Sequence, residues 1–142
     1  MNTAMEFAVP QNRSSVTKAI WLGRILSGLA VLLFVMDGVM KLVQPQVVID
    51  ATRQIGWPVD PTTLTALGLI LLACTALYAF PRTAVLGAIL LTGYLGGAVA
   101  THLRIADTAR AAIPLVVGIL AWGGLYLRDS RIRQLVPFRR SA

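Results

Sequence analysis

Sulfur chemistry is nearly absent from this chain. Cys74 is its one cysteine, which excludes an internal disulfide and a CxxC redox pair. It sits in the apolar run "LLACTALY", where a small thiol reads as an inert packing residue with little thiolate. Histidine is equally scarce. With His102 alone, no convincing set of metal or haem ligands can be assembled, and no metal is expected; nor does any serine, histidine and aspartate set suggest nucleophilic catalysis. Charged residues make up only 13% of the sequence. They cluster between long apolar runs, the distribution expected when hydrocarbon is the solvent for the intervening segments.

What is there is apolar surface and a basic tail. The 142 residues are 56% hydrophobic with a mean hydropathy of +0.72, too apolar for a soluble domain of this size. A net charge of +7 would suggest nucleic acid in a soluble protein. Here Arg128, Arg131, Arg133, Arg139 and Arg140 crowd one short tail after an apolar run, where they meet anionic head groups and fix orientation. The expected partner is therefore the lipid bilayer, and no nucleic acid.

The runs 19–42, 64–80, 83–101 and 111–127 are each near the roughly 20 residues that cross a hydrocarbon core about 30 Å thick. They predict an all-α polytopic membrane protein, a four-transmembrane-helix bundle over 19–127. A flexible tail, 1–18, precedes it and a basic tail, 128–142, follows. The first run is too long for a signal peptide, lacks a small-residue cleavage site and is followed by further spans, so it stays as a helix. Asp60 and Pro61 read as an N-cap and first-turn proline, Pro81 with Arg82 as a tight turn, and Asp107 as a cap for the last span. Pro114 lies some turns inside that span and predicts a kink or a later start. Between the first two spans, Pro45, the apolar Val47, Val48, Ala51 and Ile55 at three-to-four spacing, and Gly56 as a stop describe a short amphipathic helix on the outer surface, with Trp57 at the interface.

Basic residues set the expected orientation. Arg13, Lys18, Arg24, Arg82 and the tail arginines fall on one side; Lys41, Arg53, Arg104 and Arg110 fall on the other. Both termini are then cytoplasmic, in a bacterial inner membrane. Arg24, Arg82 and Arg128 are read as orienting residues. Small residues at four-residue spacing, Ala19, Gly23 and Ser27 on the first span and Gly93, Gly97 and Thr101 on the third, predict seams where helices approach closely.

Two charges in the first span need an explanation. Arg24 and Asp37 are 13 positions apart, about 20 Å along a helix at roughly 1.5 Å per residue, less than the hydrocarbon thickness. Arg24 can snorkel on its long stem. Aspartate cannot reach the surface, so Asp37 must be paired or protonated. Lys41, one turn on, is the nearest partner. The third span runs parallel to the first and brings His102 and Arg104 to the same level. A polar cluster of Asp37, Lys41, His102 and Arg104 is thus expected at the outer mouth of the first and third spans, with Thr101 and Tyr94 nearby. It is either an ion-pair network that fixes helix register or a site for a polar ligand, a quinone head group or a proton relay.

Three segments, "GRILSGLAVLLFVMDGVMKL", "PRTAVLGAILLTGYLGGAVATHLR" and "WGGLYLRD", resemble the DoxX-like family of small bacterial membrane proteins, over most of the chain from Gly23 to Asp129. The resemblance implies a four-helix membrane fold and, through the family's name-giving member, an association with thiosulfate oxidation coupled to quinone. Arg24, Asp37, Lys41, His102 and Arg104 all lie in the resembling segments. The functional expectation is an accessory or quinone-linked redox subunit, with quinone the candidate cofactor and no activity assigned. Its alternatives are a non-catalytic assembly or chaperone subunit acting through a membrane protein partner or a second copy, and, behind both, a small transporter. Against the transporter stands the position of Asp37, well toward the outer end and beside a lysine.

Overall fold

The computed structural model describes residues 13–135, and within them the chain is helical with no strand. Six helices follow in order: α1 Arg13–Val43, α2 Gln46–Gln54, α3 Pro61–Ala79, α4 Ala84–Arg104, α5 Thr108–Arg128 and α6 Ser130–Leu135. Helices α1, α3, α4 and α5 are long and apolar enough to cross a membrane. At 31 residues, α1 is roughly 46 Å long, more than a bilayer core, so it either tilts or stands proud of it. Residues 13–18 of the expected flexible tail are instead the first turns of α1; its residues 1–12, and Arg139 and Arg140 of the basic tail, lie outside the described residues.

The helix ends follow local chemistry. The Asp60 carboxylate accepts from the Thr63 backbone N–H at 2.7 Å and from its hydroxyl at 2.8 Å, with Pro61 in the first turn of α3. Those bonds stabilise the charged form and hold the Asp60 pKa below the usual carboxylate value. Asp107 caps α5 by accepting from the Arg110 N–H at 3.0 Å. α2 stops at Gly56, whose φ of +73° lets its own N–H reach the Arg53 carbonyl and the Trp57 N–H reach Thr52, a Schellman ending. The same pair of bonds closes α4, from Ala106 to Leu103 and from Asp107 to His102, although an alanine holds the positive φ of 59°. α5 starts at Thr108 and runs on through Pro114, so the proline lies within the helix and does not delay its start.

In the bundle, α1 packs against α3 and α5, and α4 packs against the same two. α1 and α4 are therefore diagonal. Helix approach is set by glycine. A Cβ on Gly68 would come within 2.9 Å of the Gly38 carbonyl, where α3 crosses α1, and one on Gly124 would come within 2.7 Å of the Ser27 backbone nitrogen, where α5 crosses α1. The Gly23 and Ser27 seam expected on the first span is thus used inside the chain. That of the third span is not, because a Cβ on Gly93 or Gly97 would meet nothing within 4 Å. Large apolar side chains face outward on every span: Leu32 and Met36 on α1, Leu69 on α3, Ile89 on α4 and Ile119 on α5. With 71% of Ile119 uncovered, these faces are surfaces for lipid.

Candidate functional site

At the end of the bundle that carries α2, Lys41 donates to both oxygens of Asp37 at 2.6 Å. Lys41 continues the face of α1 that holds buried Ala30, Phe34 and Gly38, and its side chain is 20% exposed. Asp37 stands at the edge of that face with 51% of its side chain exposed. A charge pair at this depth offsets part of the cost that each partner would bear alone.

α4 divides the other expected residues between two faces. Tyr94, Ala98 and His102 continue the face of buried Gly87 and Leu91 at helical spacing and look into the bundle. Tyr94 packs on the core. The Nδ1 atom of His102 is buried and has no hydrogen-bond partner among the described residues. Arg104 and Thr101 take another course. Arg104 donates to the Ile55 carbonyl at 2.7 Å, and the Thr101 hydroxyl accepts from the Trp57 indole at 3.4 Å while donating to Gly97. The expected cluster of six is therefore divided: on one side the Asp37–Lys41 pair of α1 and the inward-facing Tyr94 and His102 of α4, with no hydrogen bond joining the pair to either among the described residues, and on the other Thr101 and Arg104 beneath the α2–α3 connection.

The DoxX-like family model matches residues 25–124, which is well over half of the chain. The chain belongs to the DoxX-like family. No curated protein and no solved structure matches it. The family region contains both groups at the α2 end, together with three of the four parts of a network at the other end.

That second network joins three helices of this DoxX-like chain. The Tyr78 hydroxyl of α3 donates to the Ala121 carbonyl of α5 at 2.7 Å and lies 3.0 Å from the Ser27 hydroxyl of α1. The guanidinium of Arg128 stacks 5.1 Å over the Tyr78 ring and donates to its carbonyl at 3.1 Å. Arg128 is thus a structural clamp as well as a charge at the membrane edge. Arg24 rests 5.6 Å over the Trp21 ring on the lipid-facing side, and Arg82 is exposed in the turn before α4. Trp122 donates to the Thr92 hydroxyl at 2.8 Å and so ties α5 to α4.

Sequence reasoning gave Tyr78 no role. Its only signal was a tyrosine at the end of an apolar span one turn before a proline, which is equally the signature of an interfacial aromatic residue. Cys74 is buried with a free thiol, and among the described residues no group of His, Cys, Asp and Glu could hold a metal ion.

Proposed function

We propose that this DoxX-like membrane protein is an accessory subunit of a quinone-linked redox system, with a quinone head group held at the mouth of the bundle by Lys41, Tyr94 and His102. The observation that carries the reading is the buried, unpartnered Nδ1 of His102. An orphaned polar atom costs free energy in a low-dielectric interior, and a ligand that accepts a hydrogen bond there would recover it. A quinone offers two carbonyl acceptors, and imidazole, phenol and ammonium supply the donors. Asp37 balances the Lys41 charge and, half exposed, would connect the group to water. The excess of basic residues on the terminal side supports cytoplasmic termini in an inner membrane, with this mouth on the outer side.

Protein purified in mild detergent is expected to retain a quinone that solvent extraction and chromatography detect. Asp37→Asn and His102→Ala should each lose it, His102→Ala with thermal unfolding close to wild type. A wild-type preparation with no quinone, together with variants that fail only by unfolding, would remove the reading.

A second reading rests on a different observation. Gly93, Gly96 and Gly97 leave a smooth face of α4 with no neighbour inside the chain, which suits an assembly subunit that packs against a partner helix. In that case Gly93→Leu and Gly97→Leu abolish co-purification of a membrane partner and leave the fold intact. A wild-type protein that brings down no partner after gentle extraction excludes this role.

A further inference from the structure

Beneath the α2–α3 connection lies an open recess of about 460 Å³, lined by Gly56, Trp57, Pro58, Ala100, Thr101 and Arg104. Its floor belongs to the lipid-facing side of α4, and below it the same side continues toward mid-membrane as Gly97, Gly96 and Gly93. A Cβ at any of these three would meet nothing within 4 Å. Arg104 makes no ion pair among the described residues. Among the described residues its one side-chain hydrogen bond, to Ile55, anchors the guanidinium beside Gly56 and leaves most of its five N–H donors unused.

We propose that the recess binds one anionic phospholipid, the phosphate on Arg104 and an acyl chain along the glycine face of α4. Charge complementarity selects this occupant. A fixed guanidinium with free donors at the membrane surface matches a phosphate, by geometry as well as charge. The indole of Trp57, held by Thr101, is the aromatic wall usual at head-group depth. Without side chains, Gly93, Gly96 and Gly97 leave a shallow channel that a flexible hydrocarbon chain fills with dispersion contacts along its length. A partner helix of about 10 Å diameter suits the place less well, because Gly56, Trp57 and Pro58 stand over the head of the channel. The site lies on the opposite side of α4 from His102 and does not depend on the quinone reading.

Native mass spectrometry of the detergent-purified protein tests the assignment, followed by titration of delipidated protein with dioleoylphosphatidylglycerol or, as an uncharged probe with the same chains, dioleoylglycerol. Wild type is expected to keep one phospholipid through detergent exchange and to prefer the phosphatidylglycerol roughly fivefold, the factor that about 1 kcal/mol per basic residue near a membrane surface gives. Arg104→Gln should lose that preference, Arg104→Lys should keep most of it, and Gly97→Leu should weaken both probes. Equal binding of the two probes by wild type overturns the proposal even if a variant fails to fold, as does an undiminished preference in Arg104→Gln. A dimer mass that Gly97→Leu abolishes, with no lipid retained, assigns the face to a second copy instead.

Discussion

Gly87→Ala is expected to destabilise the bundle by on the order of 3 kcal/mol, enough to deplete folded protein in the membrane. Two effects oppose each other at this position. Replacing a helical glycine with alanine gains at most about 1 kcal/mol of helix propensity, and Gly87 lies only four residues into α4. The new methyl group, however, would stand 2.5 Å from the Cα of Tyr78 and 2.7 Å from the carbonyl carbon of Leu77, closer still to the Tyr78 nitrogen. All three are backbone atoms of α3 and cannot rotate aside. The turn that joins the two helices is short and pinned, with the Thr83 hydroxyl donating to the Leu77 carbonyl at 2.7 Å, so α4 cannot slide away without breaking it. Steric cost therefore exceeds the propensity gain. Gly96→Ala is the matched control: with open space around it, it should be neutral or slightly stabilising. Reversible unfolding of both variants in mixed micelles checks the pair, and similar stabilities for the two would show that the close approach is not what α3 and α4 depend on.

Tyr78→Ala is expected to cost about 3 kcal/mol and Tyr78→Phe about 1 kcal/mol, a difference that separates packing from hydrogen bonding. Tyr78 is fully buried where α1, α3 and α5 meet, so removing the ring opens a cavity and leaves Arg128 without the surface it stacks on. The hydroxyl contributes less. Interhelical hydrogen bonds in membrane proteins average only about 0.6 kcal/mol, because the separated helices also find partners. After Tyr78→Phe the Ser27 hydroxyl can turn to a carbonyl of its own helix. Stability of the two variants and of Ser27→Ala, measured in the same micelles, decides the division. A Tyr78→Phe protein as unstable as Tyr78→Ala would place the energy in the hydroxyl instead of the ring.

Much of the fold was legible because the bilayer simplifies the reading of a sequence. Each span has to be apolar and about 20 residues long, and Asp60, Pro61, Pro81 and Asp107 mark its ends by local chemistry that needs no tertiary contact. The amphipathic α2 and the Asp37–Lys41 pair were legible for the same reason: both are set within a few residues on one helix. The seams were half legible. Gly23 and Gly93 carry the same four-residue pattern, yet one meets α5 and the other meets nothing, since small residues permit an approach without specifying a partner. Helix adjacency was not legible at all. Parallel direction put the first and third spans at one level, but only packing made them diagonal.

The sequence by itself therefore determined the four spans, their caps and the family, which follow from one-dimensional position along a helix in a solvent of fixed thickness. Tertiary structure alone decided direction around the helix axis. It turned His102 and Tyr94 toward the bundle and Thr101 and Arg104 toward the α2–α3 connection, and it made Tyr78 the meeting point of three helices. Residues two positions apart on an α-helix point about 200° from each other, and which of those directions is interior depends on neighbours that lie far away in the chain.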